Sequence, residues 1–250
     1  MELNISVLSK SGGRSVNEDA YGCWSHQGRS FCVLSDGAGG HNGGEVASKL
    51  AVQHVLEWFR QSPDCGPDGI AASLRAANDA IVAAQLGSPH LAEMRATIAV
   101  LVVDSERRTA TWGHVGDTRL YCLRQQRIIL QTKDHSVLQS MIDAGYMKSQ
   151  DLRKAPQRNM LLAALGDTKT FTPTIQSRGF EIADGDIFLL CTDGFWEYVD
   201  EAQMERSLNE ADSPETWLRR MESQVAAHGS EGQDNYSALV VACTARDDFN

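Results

Sequence analysis

The chain has 250 residues, of which 42% are hydrophobic, so it can build one domain with a sizeable core. Its 33 acidic and 23 basic residues give a formal net charge of −10. This excess of acid argues against a nucleic-acid or anionic-membrane partner, because either would need a basic surface. No run approaches the roughly 20 apolar residues of a membrane span, and no secretion signal opens the chain. We expect a soluble, cytoplasmic monomer.

The six cysteines occur singly and mostly inside apolar runs. They form no C-x-x-C pair and show no histidine spacing typical of a zinc site. We therefore expect reduced thiols in the core of a cytosolic protein.

The first third of the chain predicts three strands followed by two helices. Residues 3–9 alternate apolar and polar side chains as a half-buried strand does, and strands are also predicted at Tyr21–Trp24 and Phe31–Asp36. An amphipathic helix is predicted at Gly43–Gln61, ending at Ser62-Pro63, and a second helix at Ile70–Leu86.

The rest of the chain returns to strands, with one interruption. Four β-branched apolar runs predict an antiparallel meander at 97–103, 109–115, 119–123 and 127–131. Residues 134–165 have a more polar, helical pattern, within which residues 136–159 are predicted to form a flap-like insertion. Strands are then predicted at 186–192 and 235–243, with helices at 201–208 and 214–227 between them. This order favours an α+β fold of two antiparallel sheets flanked by helices in one domain, residues 1–245.

The stretch V-L-S-D-G-A-G-G, residues 33–40, delivers the carboxylate of Asp36 from a buried strand into a glycine-rich loop. Glycines let a ligand approach the backbone closely, and an aspartate at a strand end can reach a metal. The same pattern is also typical of a tight turn with a capping aspartate. On this stretch alone, both interpretations stay open.

Acidic residues recur at the ends of predicted strands, more often than their usual frequency in turns would explain. The positions are Glu18 and Asp19, Asp36, Asp117, Asp193 and Asp234. Carboxylates gathered at one edge of a sandwich would repel each other unless hard cations such as Mg²⁺ or Mn²⁺ neutralised them. Two such cations can polarise a phosphoryl oxygen and lower the pKa of a water. Arg14 could then grip a phosphate, or it could be a surface ion-pair residue.

Eight short motifs in order resemble one family. They are R-S-V-N-E-D (14–19), S-D-G-A-G-G-H-N-G-G-E-V-A-S (35–48), M-R-A-T (94–97), V-G-D-T-R (115–119), D-H-S (134–136), P-Q-R-N (156–159), C-T-D-G (191–194) and G-Q-D-N (232–235). This set resembles the bacterial branch of the PP2C-type (PPM) metal-dependent Ser/Thr protein phosphatases, from Arg14 to about Val241.

The resemblance implies a role for each matching residue. Asp36 would bridge two Mn²⁺ or Mg²⁺ ions, and Asp193 and Asp234 would complete the first site. Glu18, Asp19 and the Gly37 carbonyl would hold the second ion, largely through water. Asp117 with Asp193 would form a possible third site. Arg14 would bind the substrate phosphate, so that Asp36, Arg14 and Asp193 carry the catalysis.

The family also implies a fold, a reaction and partners. The fold is a four-layer αββα sandwich, and residues 136–159 correspond to its flap. The reaction is hydrolysis of phosphoserine and phosphothreonine by water activated at the binuclear centre. The implied partners are phosphorylated proteins and a Hanks-type Ser/Thr kinase whose action the enzyme reverses. Two alternatives remain: a pseudophosphatase serving as a binding module, and a Ca²⁺-stabilised structural protein.

Three positions depart from the family pattern. Ala38 stands where many eukaryotic members carry a histidine proposed to protonate the leaving alkoxide, so the general acid is open, and His41 is more typical of a structural residue. Arg95-Ala96-Thr97 replaces a Gly-Thr-Thr pattern, and Ala155 replaces the histidine before P-Q-R-N. None of these changes removes a metal ligand. His135 could be a group on the substrate side of the site, but it is more typical of a polar residue that fixes the turn from sheet to flap.

Overall fold

The structure is a computed structural model that describes residues 1–39, 43–62, 64–229 and 232–245. The sequence also predicts a frayed end at residues 246–250. This prediction and those for His41 and the Pro63 helix break lie outside the described ranges. The strands are β1 (Glu2–Lys10), β2 (Ala20–His26), β3 (Arg29–Ala38), β4 (Arg95–Asp104), β5 (Thr109–Val115), β6 (Arg119–Arg124), β7 (Arg127–Gln131), β8 (Thr174–Ile175), β9 (Phe180–Glu181), β10 (Ile187–Cys191) and β11 (Tyr236–Thr244). The helices are α1 (Gly43–Gln61), α2 (Pro67–Gly87), α3 (Val137–Asp143), α4 (Asp193–Trp196), α5 (Glu201–Asn209) and α6 (Pro214–Ala227), with 3₁₀ turns at Pro89–Leu91 and Ser149–Lys154.

The strands form two antiparallel sheets. One has the order β1-β11-β10-β6-β7, and the other has the order β2-β3-β4-β5-β8 with β9 also paired to β5. Helices α1 and α2 pack on the second sheet, and α5 and α6 pack on the first. The predicted α+β fold with two antiparallel sheets flanked by helices is confirmed.

Strand β4 shows why the sequence has continuous apolar runs rather than strict alternation. Ala96, Ile98 and Val100 face the helical layer, while Ala99 and Leu101 face the other sheet. A strand that is covered on both faces needs apolar side chains at every position. The burial pattern of β4 therefore identifies it as a central strand of a sandwich.

The predicted four-strand meander is wrong in its middle. Strands β4 and β5 belong to the six-stranded sheet, whereas β6 and β7 belong to the five-stranded sheet. The chain changes sheets in the short turn around Gly116, which has φ of +92° and whose missing Cβ would lie 2.5 Å from the Thr97 side chain. Only glycine fits such a turn without strain. This crossing brings Asp117 to the edge of the sandwich.

The region predicted to be helical, residues 134–165, is helical only in α3 and the 3₁₀ turn at Ser149–Lys154. Its two ends meet, because Ser136 pairs with Leu161 and the Leu162 N–H donates to the His135 carbonyl at 2.8 Å. Gly145, with φ of +78°, lies just after the end of helix α3. The segment 136–159 therefore leaves and re-enters the sheet layer at one place, as an insertion does.

A buried ion pair supports the base of this segment. Arg119 is 3% exposed, and its guanidinium makes two hydrogen bonds of 2.8 Å to the carboxylate of Asp134. The same guanidinium lies 3.6 Å from the ring centroid of Trp196. A bidentate pair stacked on an aromatic ring satisfies an arginine that has lost its water.

Within the described residues, no helix is both long and apolar enough to cross a membrane.

Removing one partner of the buried Arg119–Asp134 pair should destabilise the fold far more than removing a partner of an exposed pair. We expect Asp134→Ala to lower the free energy of unfolding by about 3–5 kcal/mol, because Arg119 would stay buried without its carboxylate. Asp143→Ala, which breaks the exposed pair of Asp143 with Lys133 at 2.8 Å, should cost no more than about 1 kcal/mol. Urea unfolding measures both, and equal losses would contradict the argument.

Candidate active site

A cavity of about 540 Å³ opens at the edge of the sandwich. It lies beside the C-terminal ends of β3 and β10 and the turn between β5 and β6. It collects residues from seven separate parts of the chain. Its lining includes five carboxylates, one arginine and the segment that closes the insertion: Arg14, Glu18, Asp36, Gly37, Ala38, Asp117, Asn159, Leu161, Asp193 and Asp234. Of the predicted site residues, only Asp19 lies behind this lining.

Asp36 stands at the centre of the carboxylates. It pairs across the sheet with Thr97, so β4 holds its backbone in register. Loss of water contact raises the pKa of Asp36 well above its usual value, and the nearby charges of Asp193, Asp19 and Asp117 raise it further. Asp36 therefore lies close to three other negative groups, whose charges disfavour its ionised form.

Asp193 begins α4, and its Oδ1 accepts a hydrogen bond of 2.6 Å from the Gly194 N–H. Burial, followed by the charges of Glu197 and Asp234, raises the pKa of Asp193 to about 6. Asp117 is 4% exposed, and burial together with Asp193 raises its pKa well above the usual range. The Trp196 indole anchors the Asp117 carbonyl with a 3.0 Å hydrogen bond. These residues are therefore held rigidly although they repel each other.

Glu18 and the Gly37 carbonyl lie side by side against the start of α1. A Cβ on Gly44 would lie 2.6 Å from the Gly37 carbonyl oxygen and 2.7 Å from Glu18 Oε1, so the glycine leaves room for both oxygens. Burial raises the pKa of the Glu18 carboxyl, and the nearby backbone N–H groups of Gly44 and Glu45 counter part of this shift. The N-terminus of α1 thus helps to hold a negative group that burial would otherwise disfavour.

Asp19 sits behind the cavity wall and is 7% exposed. Its Oδ2 accepts a hydrogen bond from the Thr192 hydroxyl at 3.1 Å, but its Oδ1 has no hydrogen-bond partner among the described residues. Burial raises the pKa of Asp19 to about 7, with Asp193 and Asp234 adding to the effect. A buried carboxylate oxygen without a partner is costly, and a cation with its water would satisfy it.

Arg14 reaches the cavity from the loop after β1. Its Nη2 lies 3.3 Å from Asp234 Oδ2, while 55% of its side chain remains exposed. Asp234 also accepts a 2.9 Å hydrogen bond from the Asn235 N–H through Oδ1. The two sequence-based interpretations of Arg14 are thus compatible, because it pairs with an acid that itself lines the cavity.

Asn235 is a residue that sequence reasoning quoted in a motif but gave no role. Its Oδ1 accepts a 2.8 Å hydrogen bond from the Glu18 N–H, and its Nδ2 donates to the carbonyls of Ser11 and Val16, both at 2.9 Å. It therefore ties the loop that carries Arg14 and Glu18 to the start of β11. The only signal in the sequence was its place directly after Asp234.

The histidines near the site have structural partners. His135 Nδ1 accepts a 3.1 Å hydrogen bond from the Gly116 N–H, and its Nε2 lies 2.8 Å from the Thr174 hydroxyl. Burial and the stacked ring of His114 lower the pKa of His135 to about 4. The neutral ring can therefore accept from Gly116 at neutral pH, which agrees with the predicted turn-fixing role.

The donor set decides which cofactor these residues could hold. In the described part of the chain, no three His, Cys, Asp or Glu side chains already stand in an arrangement that could hold a metal ion. The donors around the cavity are nonetheless all oxygens, five carboxylates and the Gly37 carbonyl, which suit hard divalent cations. The raised pKa values and the partnerless Asp19 oxygen indicate negative charge that such cations would offset. The residues therefore fit the implied Mn²⁺ or Mg²⁺.

Comparison with known proteins places the chain in a family. The sequence model described as protein phosphatase 2C matches residues 9–234. The chain is 32% identical over 230 residues to serine/threonine protein phosphatase PstP of Mycobacterium tuberculosis, covering 91% of this chain but only 42% of that protein. It is 26% identical over 257 residues to protein phosphatase PhpP of Streptococcus pneumoniae, covering 98% of this chain and 99% of that one.

The fold agrees with this relationship. A crystal structure of the catalytic domain of PstP in complex with two manganese ions superposes with a TM-score of 0.82 at 26% identity, over 97% of this chain and 99% of that chain. The chain spans about two-fifths of the full-length PstP that it matches. From the family model and these relatives, we conclude that the chain belongs to the protein phosphatase 2C family.

Proposed function

We propose that this protein hydrolyses phosphoserine and phosphothreonine residues in proteins with the help of bound Mn²⁺ or Mg²⁺. The observation that carries the proposal is the cavity itself, in which five carboxylates and Arg14 come together in a chain of this family. The pseudophosphatase alternative has no observation in its favour, since every predicted carboxylate is present. A purely structural Ca²⁺ site would not explain Arg14.

Arg14 is the residue that we assign to the substrate phosphate. Its side chain is 55% exposed, and its guanidinium pairs with Asp234 at the cavity. An arginine can present two parallel N–H donors to a phosphate, which fixes both position and orientation. We therefore expect Arg14 to act mainly in substrate binding.

The carboxylates are assigned to two cation sites. Asp36, Asp193 and Asp234 would hold the first, Asp36 would be shared, and Glu18, Asp19 and the Gly37 carbonyl would hold the second. Two divalent cations in these sites would lower the pKa of a nucleophilic water and polarise the phosphoryl group. Asp117 and Asp193 would provide a possible third site.

The chain offers no obvious acid for the leaving serine or threonine oxygen. Ala38 is exposed at the cavity mouth, and no histidine is among the described residues that line the cavity. We propose that solvent water supplies this proton. The open cavity allows water to reach the leaving group.

The flap, residues 136–159, borders the cavity and would influence which proteins enter it. Asn159 and Leu161 line the cavity. Arg158 forms an ion pair with Glu197, which directly follows α4, and Arg153 makes two hydrogen bonds of 2.8 and 3.0 Å to Glu201. We infer that residues 1–245 act as one catalytic domain and that the flap contributes to its substrate preference.

Neutralising either central carboxylate should abolish activity. We expect Asp36→Asn and Asp193→Asn each to lower kcat/KM on a phosphothreonine peptide by at least about 100-fold, because even outer partners of metal ligands are worth roughly 10–100-fold. Activity is measured by phosphate release with Mn²⁺ or Mg²⁺.

Asp151→Asn, which changes an exposed carboxylate of the flap, is the matched control and should retain full activity. Full activity of the wild-type protein in EDTA would overturn the proposal.

The glycine at the start of α1 gives a test of metal binding that does not depend on turnover. Gly44→Ala should weaken Mn²⁺ binding by roughly 10-fold or more, because its Cβ would contact both Glu18 Oε1 and the Gly37 oxygen. Titration calorimetry of the full chain measures the affinity. In the control Gly87→Ala, the new Cβ meets nothing within 4 Å, and Mn²⁺ affinity should not change.

We further propose that the protein acts in the cytoplasm as a monomer and reverses a Hanks-type Ser/Thr kinase. Deleting it should raise the occupancy of phosphoserine and phosphothreonine sites, with the kinase's own sites among them. Quantitative phosphoproteomics of cells with and without the protein measures this. If no Ser/Thr site gained occupancy, this pathway assignment would be wrong even if the purified enzyme were active.

A further inference from the structure

The structure separates one cysteine from the others. Cys32, Cys122, Cys191 and Cys243 are buried, and Cys65 is half-buried. Cys23 is exposed, which corrects the expectation that all six thiols belong to the core. The Cys23 thiol is therefore accessible to reagents in solution.

Cys23 on β2 lies directly opposite Cys32 on β3 in the antiparallel ladder. The two strands are joined by a two-residue turn in which Gln27 and Gly28 have φ of 49° and 72°, the conformation typical of a tight hairpin that fixes register. Directly opposite residues project to the same face of a sheet. The register thus holds both thiols on one face.

The two thiols are also close enough to shift each other's pKa. Cα atoms of directly opposite residues lie about 4.5–5.5 Å apart in antiparallel sheets, which falls inside the range of about 4.4–6.8 Å that disulfides tolerate. A bond between the two sulfurs would therefore need no change of strand register.

The surroundings of Cys23 and Cys32 shift the pKa values of the two thiols in opposite directions. The hydrogen bond from Cys32 lowers the pKa of Cys23, whereas that bond and burial raise the pKa of Cys32 well above its usual value. The more acidic thiol is thus the exposed one. An exposed thiolate reacts with oxidants, and a neighbouring thiol can then resolve the product.

We propose that Cys23 and Cys32 are a modification site at which a hydroperoxide forms a reversible disulfide. The Cys23 thiolate attacks the terminal peroxide oxygen and becomes a sulfenic acid, as hydroxide leaves from hydrogen peroxide or an alkoxide leaves from an organic hydroperoxide. The Cys32 sulfur then attacks the Cys23 sulfur, and the sulfenic oxygen leaves as water with the Cys32 proton. The two thiols are oxidised by two electrons and the peroxide is reduced. A dithiol reductant restores them.

The location connects this site to the cavity. Strand β2 begins directly after Glu18 and Asp19, and β3 continues from Cys32 to Asp36. The Gly37 N–H donates to the Glu18 carbonyl at 3.2 Å, so the two strands remain joined at the cavity edge. A disulfide at Cys23 and Cys32 would therefore tie together the two strands that bring these carboxylates to the site.

Cys243 is the competing partner for Cys32, since its charge also raises the pKa of the Cys32 thiol. Cys243 is fully buried, and burial raises its own pKa to about 12. An oxidant would have to reach one of two buried, protonated thiols to start at this pair. The exposed Cys23 is therefore the entry point.

The test is peptide mapping of the full chain, first reduced, then treated with hydrogen peroxide and alkylated. Trypsin cuts after Arg14, Arg29 and Lys49, so Cys23 and Cys32 fall on different peptides. We expect a disulfide-linked pair of these peptides, about 2 Da lighter than their sum, which dithiothreitol separates. The Cys65→Ser control should give the same linked pair.

Removing the resolving thiol provides the second measurement. In Cys32→Ala, we expect no linked peptide and a shift of Cys23 to the sulfinic acid, because nothing condenses with the sulfenic acid. A thermal melt before oxidation checks that this variant is folded. The proposal is overturned if wild-type Cys23 goes directly to sulfinic acid or if Cys32 is found linked to Cys243. The mapping reports on the thiols alone, so it stands apart from the outcome of the phosphatase assays.

Discussion

Mutual repulsion among the carboxylates gathered at the cavity is the constraint on which this structure depends. Asp36, Asp117 and Asp193 all have raised pKa values, and the charge of Asp193 contributes to the shifts of both Asp36 and Asp117. Such a group opposes folding unless the scaffold holds it and something offsets its charge. The hydrogen bonds around these carboxylates hold them in place against this repulsion.

The framework acts through backbone anchors rather than through counter-charges. The Trp196 indole binds the Asp117 carbonyl, and Asn235 binds the loop that carries Glu18. Arg119, the buried cation nearby, is already committed to Asp134. Because Arg119 is engaged elsewhere and Arg14 is largely exposed, the negative charge at the cavity remains available for divalent ions, as the proposed phosphatase activity requires.

The hairpin of β2 and β3 links this site to the cysteine pair. Strand β3 pairs with β4 on one side, which places Asp36 opposite Thr97, and with β2 on the other side, which places Cys23 opposite Cys32. Strand pairing is specified by turn geometry and by the buried face, and a slip of one residue would move every side chain to the wrong face. The two ladders of β3 therefore position Asp36 and the cysteine pair along the same strand.

The sequence by itself determined the element types, the α+β class and the acidic residues of the site. Periodicity, strand-end aspartates and the ordered motifs are local features, so they can be recognised in the sequence alone. Only the tertiary structure decided that β5 and β6 belong to different sheets, that Arg119 pairs with Asp134, and that Asn235 organises the Arg14 loop. It also decided that Cys23 is exposed beside Cys32. These outcomes depend on which distant segments pack together, and no local pattern encodes the partner of a strand, a buried charge or a thiol.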